Sequence, residues 1–395
     1  MLRYTIKRLL GFIPTLVAVT IIGFILLSSA PGDPVNAMVS ASNSGGGMKS
    51  SNDIEVQKNY WRRQLGLDMP LFYFSIHKLS EPDTLYKITN EAHLQQINEQ
   101  VHATGGYKNY LPKFVWYGFH NQYHRWLFGD NGSKGIIRGD FGLSYSKKIP
   151  VMDIIIDKIG WSLFFSLLSI ILAYVISIPL GIKIAGQPTA SFSAVSQTFL
   201  FLLYSVPSFF MGVLLLMLFA NPDVISIFPP SGIKPTEGYN DSASFLEKLI
   251  DSLPYIVLPL ICYTYSSLAF ITRLTTTSIN EQLSLDYIKT AKAKGLSDKQ
   301  LLYKHALKNS VLPLITVFTS VFPSIVGGSV IIESIFTIPG MGLETIRSII
   351  SQDYPFVIAV ITLSACMTIL SYLIADVLNA WIDPRVRKSL SNNHG

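Results

Sequence analysis

Charged side chains are what this chain has least of. Asp, Glu, Lys and Arg supply only 14% of its 395 residues, against 49% hydrophobic ones, and the mean hydropathy is +0.38. That balance excludes an ordinary soluble protein of this length, in which about a quarter of the residues carry charge. The scarcity is also uneven. Residues 9–30, 159–182, 199–220, 252–271, 311–332 and 354–375 contain no Asp, Glu, Lys or Arg. Each stretch is close to the roughly 20 residues a helix needs to cross a hydrocarbon core about 30 Å thick. Each also holds Pro, Gly, Ser or Thr, which membrane helices tolerate when neighbouring helices satisfy the freed backbone groups. The expectation is an all-α integral membrane protein of six transmembrane helices packed on one another.

Other absences remove whole classes of chemistry. The only two cysteines, Cys262 and Cys366, both lie inside apolar stretches, so there is no disulfide framework and no metal spacing, and both read as small buried residues. Of His77, His93, His102, His120 and His124, only His120 and His124 have helical spacing, and no HExxH pattern surrounds them; they read as surface or hydrogen-bonded histidines, with no metal site. The apolar stretches hold neither histidine nor carboxylate. A membrane-embedded hydrolase would need a nucleophile and base at one depth, and a secondary transporter would need an ionisable group or broken helices at mid-membrane. No G-x-x-x-x-G-K-[ST] phosphate loop occurs, so the chain is not expected to hydrolyse ATP.

The charges that are present report topology. Arg3, Lys7 and Arg8 precede the first stretch, whose apolar run is too long for a secretion signal and ends in Ser28, Ser29, Ala30 and Pro31, a poor cleavage site. It is expected to stay as a helix. Basic residues near membrane ends are retained in the cytoplasm. Arg273, Lys289, Lys292, Lys294, Lys299, Lys304 and Lys308 follow the fourth stretch, Arg385, Arg387 and Lys388 follow the sixth, and Lys183 follows the second. Six crossings put all of these on one side, so both termini are expected to be cytoplasmic. The net charge of +6 then reflects topology and contact with anionic lipid heads, and nucleic acid is not implied.

The opposite side receives residues 32–158, 221–251 and 333–353. The first is expected to form a small helical or mixed domain, with a helix over 85–101 and a flexible linker over 43–49, where Gly45, Gly46 and Gly47 fall. Pro229, Pro230, Ser231 and Gly232 mark a turn. Glu333 ends an apolar run and precedes Pro339 and Gly340; a carboxylate there can cap a helix, pair with a base or face a translocation route.

Between the fourth and fifth stretches the pattern becomes specific. Residues 282–293 predict a helix with Leu285, Ile288, Ala291 and Lys292 on one strip. Gly295 lets the backbone turn, and Ser297 with Gln300 forms a capping box. A second helix is expected over 298–309, with Leu301, Leu302 and His305 on one face and Lys304 and Lys308 on another, before Leu312 and Pro313 open the next span. Two short helices held against the cytoplasmic membrane face make a rigid knob suited to receiving force from a soluble partner.

These residues resemble a family: the inner-membrane permease subunits of binding-protein-dependent ATP-binding cassette importers for oligopeptides, dipeptides and nickel. The likeness is carried by Asp286, Tyr287, Ala291, Lys294, Gly295, Leu296 and Ser297, followed by His305, Asn309 and Pro313. Arg8 and Pro14, Pro31 and Pro34, Leu65 to Pro70, residues 139–144, Pro207 and Phe209, Arg273, residues 328–342, Asp376, and Asp383 to Arg385 support it over nearly the whole chain. Departures are Lys289, where the generic importer motif has Glu, Tyr372, where relatives often carry Asn, and residues 79–120, which look inserted.

The resemblance implies that residues 275–310 are the loop that docks an ATPase, and that Arg273, Pro207, Glu333, Pro339 and Gly340 belong to the pathway or its gate. It further implies a second homologous permease, two ATPases that bind ATP and Mg, and an external substrate-binding protein, with this chain holding no cofactor or metal itself. Residues 1–31 would be the first cytoplasmic segment and helix, 32–158 the external domain and 159–395 the permease core. Peptide is the favoured substrate, because the expected helices lack His or Asp clusters; a nickel chelate is the alternative. A secondary transporter or receptor-like membrane protein is the rival from another class.

Overall fold

The computed structural model describes residues 2–28, 35, 39, 51–78, 111–129, 134–235 and 244–382. The expected helix at 85–101, the linker at 43–49, Pro31, Pro34, His93, His102 and the basic residues after Asp383 lie outside them. In chain order the elements are α1 (Leu2–Ser28), α2 (Ser51–Leu65), β1 (Phe74–Lys78), β2 (Pro112–Trp116), α3 (Gln122–Phe128), α4 (Val151–Gly186), α5 (Ser191–Ser205) and α6 (Ser208–Phe219). There follow α7 (Phe245–Leu283), α8 (Asp286–Ala293), α9 (Asp298–Gln300), a π-helical segment (Leu301–Ala306), α10 (Leu307–Thr319), α11 (Val321–Gly327), α12 (Val330–Phe336), α13 (Met341–Ile350) and α14 (Tyr354–Ile382).

Among the described residues, five helical runs are long and apolar enough to cross a membrane: α1, α4, α7, the run Asp298–Gly327, and α14. The third expected span is not one straight helix. It is α5 and α6, bent by 97°, and it raises the count to six if the pair crosses as one. The bend has a plain cause: Pro207 has no N–H to continue the ladder and pushes Val206 out of helical conformation, to φ −81 and ψ 121. The carbonyl so freed on Val206 accepts from the Tyr265 hydroxyl at 2.6 Å.

Other boundaries shift as well. The sequence places a helix at 282–293, but Gln282 and Leu283 close the 39-residue α7, and α8 starts at Asp286. The helix expected at 298–309 does not stop before a new span. It runs through the π-helical segment into α10, with Pro313 inside it rather than at its start. The fifth span therefore begins at Asp298 and ends at Gly327, where Gly328 takes φ 61. Residues 333–353, expected as a short connection, carry α12 and α13.

The chain divides into two compact units, Met1–Leu16 with Ile155–Ile346 and Val360–Gly395, and Val17–Ile154 with Arg347–Ala359. In the first, the packing is that of a membrane protein. Along α4, Ser162, Ser166, Ser169, Ala173 and Ser177 are buried, whereas Ile171, Val175 and Ile176 face outward. Small polar residues inside and large aliphatic ones outside suit a helix whose solvent is lipid, because close backbone approach then drives association. Gly181 allows that approach to α7: a Cβ there would sit 2.7 Å from Thr275 Cβ. Ser177 donates to the Leu268 carbonyl at 3.0 Å, and Thr276 to the Gly181 carbonyl at 3.3 Å. Phe165, Ile256, Leu258, Cys262, Ile332, Phe336 and Ile338 pack in one apolar cluster. Arg8 pairs with Asp376, joining the start of α1 to the end of α14.

The second unit is built around rings. Phe24, Leu71, Tyr123 and Ile358 are buried together, and the Tyr123 hydroxyl and Thr20 Oγ1 are 2.9 Å apart. Burial pushes the Tyr123 hydroxyl above its ordinary pKa, and the Thr20 bond opposes this. Asn121 caps α3 by accepting from His124 N at 2.8 Å. β1 and β2 form an antiparallel pair with Phe74 opposite Trp116, a small sheet within the segment expected as a helical or mixed domain. Asp353, also buried, accepts from Ser144 Oγ, from Ser146 Oγ at 2.7 Å and from Tyr145 N at 2.9 Å. Burial first and the Asp353 charge second push the Tyr145 hydroxyl upward. Asp353→Asn leaves at least one of these donors without an acceptor, at about 1–3 kcal/mol for a buried group. Hydrogen exchange should then speed up over residues 142–150 and stay unchanged in α3; equal protection in both proteins would refute the clasp.

Candidate functional site

Three constellations gather the residues that the sequence singles out. The first is the segment after α7. Leu285 occupies the N-cap position of α8 without a capping side chain, and Gly295 turns the chain with φ 84. The Ser297–Gln300 capping box forms as the spacing predicts, with Ser297 N donating to Gln300 Oε1 at 3.1 Å and Gln300 N to Ser297 Oγ at 3.4 Å. Ile288, Leu301 and Ala306 are buried, and Ala306 packs with Ile182, Ala185 and Ile279. The Tyr287 hydroxyl donates to Gln282 Oε1 at 2.9 Å and accepts from Asn309 Nδ2 at 3.1 Å, which ties α8 to both flanking helices. Lys289 pairs with Asp286 at 2.8 Å and Lys292 with Asp298 at 3.0 Å. Of the expected apolar strip only Ile288 is fully buried. Leu285 is 45% exposed, and Lys294 and Gly295 are exposed, so a segment rooted by its inner face presents an outer one. His305 is half-buried on the inner side, as expected, and Lys304 and Lys308 are exposed.

The second is a cavity of about 730 Å³ along α5 and α7, lined by Arg273, Asn280, Gln197, Thr276, Tyr204 and Phe270 among others. Arg273 is its one cation and has no acidic partner among the described residues. Pro207 does not line the cavity; it sets the bend at the end of α5.

The third is a clasp around Glu333, whose side chain is completely buried. Its Oε1 accepts from Ser162 Oγ at 2.9 Å, Tyr263 OH at 3.1 Å and Ser329 N at 3.1 Å, and its Oε2 from Leu343 N at 2.9 Å. Ser162 Oγ accepts in turn from Met341 N at 2.8 Å. Gly340 is required by this geometry, since a Cβ would lie 2.6 Å from Glu333 Oε2 and 2.7 Å from Ser162 Oγ. Pro339 sits in the same turn, after Thr337 in left-handed conformation at φ 56. Through these bonds Glu333 holds residues 328–343 against α4 and α7. Its partners Ser162 and Tyr263 are not evident from the sequence alone; the signal is the serine repeat at helical spacing inside the second apolar stretch.

Two of the histidines bond neighbouring hydroxyls: His124 Nδ1 with Tyr73 OH at 3.1 Å, and His77 Nδ1 with Ser75 Oγ at 3.2 Å. No group of three or more His, Cys, Asp or Glu side chains that could hold a metal occurs among the described residues.

A polytopic helical bundle, with a capped helical knob after α7 and a largely apolar cavity bearing Arg273 along α5 and α7, has the form of a transporter's membrane subunit. Comparison with known proteins agrees. Residues 177–388 match the family described as binding-protein-dependent transport system inner membrane component, and the chain belongs to that family. Its relatives include the oligopeptide transport system permease protein AppB of Bacillus subtilis, 30% identical over 98% of this chain and 99% of that one. The peptidoglycan transport system permease protein YejB of Agrobacterium fabrum is 32% identical over 97% of each, and the glutathione transport system permease protein GsiC of Escherichia coli K12 is 29% identical over 98% and 99%. The chain is thus a permease subunit of an ABC-type importer, a multi-pass protein of the bacterial inner membrane.

Proposed function

We propose that this chain lines the membrane path of a peptide importer, crossing six times with both termini in the cytoplasm, and that residues 275–310 dock an ATPase. Residues 32–158 form the external domain and 159–395 the permease core. The observation that carries the reading is the build of residues 285–309. Ile288, Leu301 and Ala306 anchor it, Tyr287 and the Ser297–Gln300 box stiffen it, and its exposed face is left for a groove in a partner. A rigid element continuous with the spanning run Asp298–Gly327 passes a push from that partner into the membrane without a hinge. A second permease completes the path, an external binding protein delivers the solute, and two ATPases bind the ATP and Mg.

Peptide as cargo is supported by the relatives, whose names give oligopeptide, peptidoglycan and glutathione as what they transport. Arg273 and its neutral polar neighbours suit a solute with amides and a carboxylate, and the Glu333 clasp with Pro339 and Gly340 keeps the gate segment in register. Arg273→Ala should slow import of peptides with a free carboxyl terminus by roughly 10- to 100-fold, the worth of a charge-assisted hydrogen bond of about 1.5–3 kcal/mol. Import of the amidated peptides should change little; equal loss for both would remove Arg273 from the path. The assembly itself is tested by gentle detergent extraction. Two ATPase chains and a second permease should co-purify, and a chain that purifies alone would sink the docking proposal.

A further inference from the structure

The hairpin of the second unit is inside out for a domain in water. Opposite residues of an antiparallel pair share a face, as do alternate residues of one strand. The register therefore places Phe74, Ile76, Phe114 and Trp116 together. Ile76, Phe114 and Trp116 are 66%, 60% and 60% exposed, and the Phe74 and Phe114 rings stack at 5.6 Å. Phe119 adds a ring that is 71% exposed. The other face carries Ser75, His77, Lys113 and Val115, and there Ser75 is buried, with its hydroxyl 2.8 Å from Tyr117 OH. So Ser75 and its hydroxyl are covered on that face, while the rings of the aromatic face are exposed.

The root of this hairpin is fixed at the height of a membrane helix. Leu71 packs with Phe24 and Tyr123, Tyr123 meets Phe24 at 5.4 Å between ring centroids, and it bonds Thr20. Thr20 and Phe24 belong to the apolar window Arg8–Ile25 of α1. The strand begins three residues after Leu71, and five residues reach about 17 Å at roughly 3.4 Å each. The headgroup layer adds about 5–8 Å to each side of the hydrocarbon. A hairpin rooted beside Phe24 is therefore within reach of that layer. Trp and other rings with a polar handle concentrate there, and Lys78, exposed and on the same face by the register, suits lipid phosphates.

We propose that the β1–β2 hairpin is a membrane-interface anchor, with the face bearing Phe74, Ile76, Phe114 and Trp116 resting in the headgroup–acyl boundary of the leaflet on the external side. The lipid surface is its occupant. The proposal rests on α1 as a spanning helix and is independent of which solute is carried.

The test uses the whole transporter complex in lipid nanodiscs. A polarity-sensitive fluorophore is attached at Ile76→Cys, with Cys262→Ala and Cys366→Ala removing the native thiols, and His77→Cys reports the opposite face. The Ile76 label should be quenched about twofold or more by lipids carrying a nitroxide near the headgroup, as expected of a side chain at interfacial depth. It should be shielded from aqueous iodide and indifferent to added binding protein. A label quenched by iodide and untouched by the lipids would overturn the proposal, as would one shielded only when binding protein is added, which would make the face a protein-docking surface. Should the cysteine variant fail to assemble, the difference in intrinsic emission between the native complex and Trp116→Phe reports the same lipid quenching.

Discussion

A Glu333→Gln permease is expected to assemble poorly and to lose its fold several degrees below the native protein. Four donors converge on this fully buried carboxylate, three on one oxygen and one on the other. A carboxylate accepts on both oxygens, whereas an amide accepts on one and presents two further donors with the other. Either Leu343 N or the group of Ser162, Tyr263 and Ser329 then faces an N–H. Each buried donor left unsatisfied costs about 1–3 kcal/mol, so the change is large on the scale of single substitutions. Gly340→Ala should match it by another route, because the added methyl would enter the space of Glu333 Oε2 and Ser162 Oγ. Glu281→Gln, at an exposed position, is the control and should shift stability by no more than about 0.5 kcal/mol. Heating the detergent-solubilised complex and measuring what remains by size exclusion separates these outcomes. A Glu333→Gln protein as stable as Glu281→Gln would show that the clasp does not hold the turn.

The second large effect concerns coupling. Leu285→Asp should leave the permease folded but cut peptide-stimulated ATP hydrolysis of the complex by roughly 10- to 100-fold, the scale of a lost hot spot of about 2 kcal/mol. The position makes the experiment informative. Leu285 is the N-cap of α8 and supplies no capping bond, while Asp is among the preferred residues there, so the substitution favours the helix. It also replaces an exposed apolar side chain with a charged one. Loss of activity could then not be assigned to unfolding of α8. Unchanged stimulation would place the ATPase contact elsewhere on the chain.

How much of this was legible beforehand differs from element to element. The spans were legible because lipid demands long uncharged runs, and residues 159–182 and 354–375 fall inside α4 and α14. Their ends were not, because helices continue beyond the hydrocarbon: α7 carries Arg273 and Glu281 past the apolar stretch to Leu283. Pro207 was visible as a residue, but a 97° bend also needs Tyr265 to satisfy the Val206 carbonyl, a partner that no local pattern reveals. The Ser297–Gln300 box was readable from spacing alone, since a capping box is a local object. The continuity of α9 into α10 was not, because Pro313 suggests a start where neighbouring packing lets the helix pass. Glu333 stood out by its charge; its four donors come from α4, α7, the N-cap of α12 and the first turn of α13, and sequence separation hides Ser162 and Tyr263. The β1–β2 pair was missed because its strands are separated by residues 79–111, so no short-turn signal marks it.

The most direct test of the account is ATP-driven uptake. The complex, purified with its partners and reconstituted in proteoliposomes with ATP inside and binding protein outside, is supplied with labelled peptides or nickel. Peptide accumulation that requires ATP hydrolysis and the binding protein, and that Leu285→Asp slows by roughly 10- to 100-fold, is the predicted result. Uptake of nickel alone would keep the class and change the cargo; uptake of any solute without ATP, driven by an ion gradient, would contradict the account.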